Sequence, residues 1–259
     1  MVDMPSPEEI HQNNRGWSGK DLANNPHEAC DKAQRVETMF TAIARKYDLN
    51  NRIHSLWQDQ RWRNKAVKLA QLKGDEDVVD VACGTGDLSM AFYKAGVRTV
   101  IGIDFTQAML DFAVTKASSA NLAIEYRKGD AMDLELQDSS ADVVSIAFGI
   151  RNVQNTKKAF EEFYRVLRPN GRLIVLEFST PKNAVVRCCN NFYTKKIMPI
   201  TATLISRDTT GAYKYLPKSI ETFAEAKAMA IEIQEVGFKE ICQTPQTFGV
   251  CTITSAVKR

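Results

Sequence analysis

The sequence predicts an α/β protein built on a parallel, doubly wound sheet, and three observations carry that prediction. Short apolar runs alternate with stretches of helical spacing between Val78 and Phe178. The first run sits in DVVDVACGTGDLS, Asp77 to Ser89, where a strand pattern passes into a turn with two glycines and then into a helix. The second run, Val97 to Ile103, ends in Asp104, 18 residues after Gly86.

In chain order, the first 30 residues are polar, with no apolar run, and read as a flexible tail ahead of one domain over residues 31–259. Asp31 to Asp48 carries Val36, Met39, Phe40, Ile43, Ala44 and Tyr47 at steps of three and four, which marks an amphipathic helix. YDLNNR, Tyr47 to Arg52, interrupts that pattern with adjacent asparagines. A second helix, Leu56 to Gln71, offers Trp57 and Trp62 for packing, so residues 31–73 form a helical cap.

Strands at Val78–Ala82, Thr99–Ile103, Ala123–Arg127, Val143–Ala147 and Arg172–Phe178 then alternate with helices at Asp87–Ala95, Thr106–Ala117 and Thr156–Leu167. Pro169, Asn170 and Gly171 punctuate the last helix-to-strand turn. Ser179 to Ser219 is less regular, and a helix follows at Thr222–Val236. Two alternating runs, Phe238–Gln243 and Thr247–Lys258, read as an antiparallel pair at the sheet edge.

Composition excludes some classes. The chain has 34 Lys and Arg against 31 Asp and Glu, and a net charge of +3 over 259 residues gives no nucleic-acid footprint. Neither an N-P-P-Y-like tetrapeptide nor a Pro-Cys motif occurs, so a nucleic-acid methyltransferase is not expected. The six cysteines contain no C-x-x-C, and the vicinal Cys188 and Cys189 make a poor chelator, so no metal is expected and the thiols read as reduced and cytoplasmic. The most apolar window, Ile197 to Ile205, contains Pro199 and is far short of the ~20 residues of a membrane helix.

The glycine turn predicts a nucleotide-like ligand. Gly84 and Gly86 permit positive φ and close approach of a ligand to the backbone, and Thr85 offers a hydroxyl between them. A dinucleotide fingerprint would place a third glycine at Ser89, and Asp87 sets a negative charge where a pyrophosphate would sit. Asp104 stands where an acid accepts hydrogen bonds from ribose hydroxyls. A ribose without phosphates fits S-adenosyl-L-methionine. Asp130 would accept from its adenine amine, with Ala131 leaving room for the ring, and Arg151 and Asn152 follow the fourth strand as a polar pair with no evident packing role.

Together YDLNNR, RWR, DVACGTGDL, GIDFTQAML, FGIRN, RVLRPNGRLIVLEFS and YKYLP resemble the UbiE and MenG family of methyltransferases, which methylate a ring carbon of ubiquinone and menaquinone precursors. The likeness runs from about Arg35 to the C-terminus. It implies a class I, Rossmann-like methyltransferase fold of seven strands with the last antiparallel. It also implies that Thr85, Asp104, Asp130 and Ala131 hold S-adenosylmethionine and that Arg151 and Asn152 face a polyprenyl quinol. Ala147 stands where ubiquinone-type relatives often carry Ser, which removes a hydroxyl from the cofactor pocket and points to the menaquinone branch. Asp130 replaces a frequent Asn, and His54 and Trp57 replace aliphatic residues or Gly.

Carbon methylation needs a nucleophilic ring, which a hydroquinol becomes when a ring hydroxyl is deprotonated. Arg151 would stabilise the phenolate as a fixed cation, and Asn152 would donate a hydrogen bond to the same oxygen. Arginine is a poor base, and Asp48, His54, Asp208 and Tyr213 are alternatives among which the sequence does not choose. Residues 179–220 read as a substrate lid, since Asn191 to Ser206 mixes apolar residues with Lys195 and Lys196 in a composition suited to a membrane surface, a packing helix or a dimer face. A non-catalytic module binding S-adenosylmethionine, or a methyltransferase acting on another small aromatic or lipid acceptor, would keep the glycine turn.

Overall fold

In the computed structural model, which describes residues 16–223 and 225–259, the sheet has seven strands. They are β1 (Asp77–Val81), β2 (Thr99–Asp104), β3 (Glu125–Lys128), β4 (Ala141–Ala147), β5 (Leu167–Phe178), β6 (Lys239–Gln246) and β7 (Cys251–Val257), ordered β3-β2-β1-β4-β5-β7-β6. β1 pairs in parallel with β2 and with β4, whereas β7 runs antiparallel to both β5 and β6. The expected architecture is therefore present, including the antiparallel last strand.

The middle strands are buried on both faces, which is why they read as continuous apolar runs. One face carries α5 (Thr156–Val166), whose Ala159, Phe160, Phe163 and Val166 pack on Val144, Ile146 and Val175. The other face carries α3 (Asp87–Lys94) and α2 (Gln58–Leu69), with Phe92, Trp62 and Ala66 over Val78 and Val143. α4 (Gln107–Ser119) follows β2, and α9 (Ala226–Val236) buries Met229 and Ile233 beside α5.

Three expectations are corrected. The first helix, α1, runs from Lys32 to Ser55, straight through the asparagine pair. Asn50 is buried there, its amide donating to the Ala202 carbonyl at 3.3 Å and to the Tyr213 hydroxyl at 2.6 Å, and those bonds outweigh the weak helix propensity of Asn. Residues 179–219 are mostly helical rather than irregular: α6 (Ala184–Phe192), a π-type turn at Tyr193–Ile197, α7 (Met198–Ser206) and α8 (Ala212–Thr222). Trp57 does not pack. Leu56 and Trp57 end α1 in the left-handed conformation and stand 80% and 61% exposed, whereas Trp62 is buried.

The expected flexible tail also needs correction where it can be described. Residues 1–15 lie outside the described residues. Trp17 is buried, its backbone N–H donates to the Thr210 carbonyl at 2.7 Å, and its ring stacks on Tyr215 of α8 with centroids 4.7 Å apart. Two short turns at Asp21–Ala23 and Pro26–Glu28 continue the strap, and the His27 ring lies 2.9 Å from the Ser219 carbonyl. A single tryptophan in polar surroundings gave no periodic signal. Trp17→Ala should cost about 3–5 kcal/mol of stability, the usual range for truncating a buried aromatic; a thermal melt matching the parent would contradict this packing.

Candidate functional site

The direction of strand addition reverses between β1 and β4, and open α/β sheets bind ligands at the carboxyl ends beside such a reversal. The loop after β1 holds Gly84 at φ +55° and Gly86 at φ +81°. A Cβ on Gly84 would point into open space, so a ligand can reach that backbone, whereas a side chain on Gly86 would collide with the end of Tyr126. Asp104, at the end of β2, accepts from the Gly84 N–H at 2.7 Å and the Thr106 N–H at 2.8 Å. Burial raises its pKa, with those two N–H groups opposing the shift. Asp130 accepts from the Met132 N–H at 2.9 Å, Ala131 is buried beside it, and Ala147 ends β4 half-buried.

Helix α1 closes this rim with one face and builds a second site with another. Asp48 and Arg52, four residues apart, turn to the glycine loop. Asp48 accepts from the Thr85 hydroxyl and from the Lys116 ammonium, each at 2.6 Å. Arg52 bonds Asp59 and Asp87, and Lys116 also reaches Asp87 at 2.6 Å. Burial would raise the Asp87 pKa, but Arg63, Lys116 and Arg52 hold it down to about 2. The negative charge read from Asp87 is thus matched by cations, so it does not by itself exclude a diphosphate. Ser89, locked into the core by a 2.6 Å bond to Asp80, still denies the third glycine.

The other face of α1, with Met39, Ile43, Tyr47 and His54, lines a cavity of about 680 Å³ whose remaining walls come from α2, the ends of β4 and β5, the π-type turn and α8. Most of the lining is apolar, including Trp62, Phe148, Phe178 and Met198. Arg151 and Arg63 are the buried arginines in this wall, and Arg63 is tied to Asp59. The Arg151 Nη1 donates to the Phe148 carbonyl and to Glu177, both at 2.7 Å, and the Arg151 guanidinium lies 5.3 Å from the Phe178 ring centroid. Its Nε is buried and has no hydrogen-bond partner among the described residues.

The predicted residues fall into separate places. Gly84, Thr85, Gly86 and Asp104 gather at the ends of β1 and β2, and the Gly129 N–H donates to the Asp104 carbonyl at 3.0 Å, which draws the Asp130 and Ala131 loop alongside. Arg151 lines the cavity, but Asn152 does not. The Asn152 side-chain carbonyl accepts from the Tyr215 hydroxyl at 2.9 Å and its amide donates to the Phe148 carbonyl at 3.5 Å, so the side chain is engaged outside the cavity lining. Of the candidate bases, Asp48 is taken by Thr85 and Lys116. Asp208 caps α8 through the Thr210 and Ala212 N–H groups, and neither acid lines the cavity. Tyr213 does, but burial pushes its pKa up to about 12 and Asn50 donates to it. Glu177 was missed, although an acid inside the strand pattern of LEFS could have marked it.

A model of the ubiE/COQ5 methyltransferase family matches residues 29–258. The demethylmenaquinone methyltransferase of Thermus thermophilus is 40% identical over 216 residues, covering 83% of this chain and 97% of that protein. The ubiquinone/menaquinone biosynthesis C-methyltransferase UbiE of Geobacter sulfurreducens is 35% identical over 243 residues, 92% of this chain and 94% of that one. Among solved structures, a SAM-dependent methyltransferase from Aquifex aeolicus superposes with a TM-score of 0.61 over 85% of this chain and 98% of that one at 18% identity, a likeness of fold.

Proposed function

Because the chain belongs to the ubiE/COQ5 methyltransferase family, we propose that it methylates a ring carbon of a polyprenyl quinol in menaquinone biosynthesis, converting demethylmenaquinol to menaquinol. Bound S-adenosyl-L-methionine supplies the methyl group on a sulfonium centre. The donor fits the residues present, because Gly84 leaves open space over its backbone and the Asp104 carboxylate beside it has lone pairs left for ribose hydroxyls. Thr85, Gly86, Asp130, Ala131 and Ala147 complete that pocket.

One juxtaposition carries the reading: a mostly apolar cavity with a buried arginine in its wall, next to the nucleotide rim and sharing α1 with it. The apolar walls exclude water from the quinol ring. Arg151 is held by Glu177 and Phe148, so it is fixed before the substrate arrives, and its unpartnered Nε donor is left for a ring oxygen. A donor aimed at developing charge is worth about 3–4 kcal/mol. Asn152 acts through Tyr215, which it orients from behind the wall. The assay is incubation of the purified chain with S-adenosylmethionine and short-tailed demethylated naphtho- and benzoquinols. The expected product is the ring-methylated naphthoquinol by mass spectrometry; methylation of neither quinol would contradict the reading.

The long tail of such a substrate calls for a lipid surface, and no helix among the described residues is long and apolar enough to cross a membrane. Leu56, which lines the cavity, and Trp57 stand exposed, as do Ile200 and Leu204 on α7, which Lys195 and Lys196 precede in sequence. This face docks on an anionic membrane surface, presenting the cavity to the quinol pool. Leu56→Ser with Trp57→Ser should weaken sedimentation with vesicles of mixed neutral and anionic phospholipid at least about tenfold. Unchanged sedimentation together with loss of a dimer would assign the face to self-association instead.

A further inference from the structure

We propose that His54 is the catalytic base, taking the proton of the quinol ring hydroxyl on Nε2 while Tyr193, from the helical lid, holds the imidazole through Nδ1. The inference rests on the quinol reading and adds the proton acceptor that reading lacks.

The geometry begins with a rare local structure. α6 and α7 are joined by a π-type turn, Tyr193–Ile197, and turns of this kind are frequent at functional sites. It sets the Tyr193 hydroxyl 2.8 Å from His54 Nδ1 and 3.3 Å from the His54 carbonyl. A hydroxyl has a single proton. Given to the carbonyl, that proton leaves the Tyr193 oxygen as acceptor for Nδ1–H, and the imidazole then presents a bare lone pair at Nε2. The opposite arrangement would bury an Nε2–H donor with nothing to receive it, the costlier orphan. Nε2 is buried and has no hydrogen-bond partner among the described residues.

The other titratable groups of the cavity wall are engaged. Asp59 accepts from Arg52, Arg63 and Ser55; Glu221 pairs with Lys195 at 3.0 Å; Arg151 is bound to Glu177; and Tyr213 receives Asn50. Tyr47 is a half-buried phenol whose pKa is raised by loss of solvent around it, so it stays protonated. Tyr193 does the same at the other side of the imidazole. Burial lowers the His54 pKa below the ordinary imidazole range, so the ring is neutral and able to accept at neutral pH.

A phenolic hydroxyl is a much weaker acid than an imidazolium, so the transfer also needs Arg151 to stabilise the oxygen. In the step the hydroxyl O–H bond breaks, its electron pair stays on oxygen, and the proton forms an N–H bond at Nε2. As the methyl group moves to the ring carbon its bond to sulfur breaks and leaves the electron pair on sulfur. The C–H bond at that carbon then breaks, one proton restores the O–H bond, the imidazolium returns its proton to water, and ring methylation releases one proton overall.

The test uses the full chain with short-tailed demethylmenaquinol. His54→Gln and His54→Ala should lower kcat about 100-fold or more, with quinol affinity by tryptophan fluorescence within threefold of the parent. The parent should lose rate as pH falls through the His54 pKa, and both variants should lack that acidic limb. The chain has three histidines, so nitrogen NMR resolves the tautomer: His54 should show a protonated Nδ1 and a bare Nε2, and Tyr193→Phe should mix the two forms. A His54→Gln enzyme within threefold of the parent that keeps the acidic limb overturns the base alone, as does a protonated Nε2 in the neutral ring. A parent enzyme that methylates no quinol overturns the quinol reading and the base with it.

Discussion

Replacing Arg151 by Met is expected to lower turnover on the quinol by about 10²–10³, the loss seen when one preorganised donor to a developing oxyanion is removed, while affinity for S-adenosylmethionine stays within twofold. Arg151 and Glu177 are both nearly closed to solvent and bonded at 2.7 Å. The single variant leaves a buried carboxylate uncompensated, which costs about 3–5 kcal/mol of stability. Removing both charges, as Arg151→Met with Glu177→Gln, should return most of that stability, because pairs deleted together are often neutral. It should not return turnover. Denaturant melts and single-turnover rates on the parent, the single and the double variant separate the two roles. A double variant that is stable and also active would show that the arginine is only a structural partner of Glu177.

Asp104→Ala is the second large effect, and it falls on binding instead of rate. The carboxylate already holds the Gly84 and Thr106 N–H groups, and the proposed bound state adds the ribose hydroxyls. Hydrogen bonds to a charged group contribute about 1.5–3 kcal/mol each, so the dissociation constant for S-adenosylmethionine should rise at least about 100-fold by calorimetry. Asp104→Asn, which keeps one acceptor oxygen, should fall between parent and Ala. Asp104 does not line the cavity, so quinol binding to the free enzyme should change less than threefold. A donor affinity unchanged by Asp104→Ala would remove the nucleotide rim from its proposed place.

The sheet was legible because strands buried on both faces must be continuously apolar, and the glycine turn because only glycine tolerates φ +55° and +81° cheaply at a ligand rim. The lone Asp104 after an apolar run was readable for the same reason: nothing in a strand end needs a carboxylate for packing. What stayed hidden depended on partners distant in sequence. Asn50 breaks a helical pattern only until Tyr213 and Ala202 are seen to bind it, and Trp17 looks like part of a polar tail until Tyr215 is placed under it. Asn152 shows the limit at the site itself. FGIRN puts it next to Arg151 in the chain, and in the short helical turn Ile150–Asn152 both side chains reach the Phe148 carbonyl, but Arg151 goes on to Glu177 and the cavity whereas Asn152 is held by Tyr215 and does not line it. The segment after β5 read as less regular, but Pro199 sits in the first turn of α7, where no N–H is needed, and leaves the helix intact.

The most direct measurement is a crystal structure with S-adenosylhomocysteine and a short-tailed demethylmenaquinol bound together. The ribose should lie on Asp104, the sulfur over the Gly84 turn, and the ring in the cavity with an oxygen on Arg151. The sulfur and the reacting carbon should then be separated by the space of one methyl group, whose carbon would stand about 3–3.5 Å from the ring. A cofactor seated away from Gly84 and Asp104, or a ring with both oxygens beyond hydrogen-bond reach of Arg151, would contradict a methyl transfer assembled at this rim.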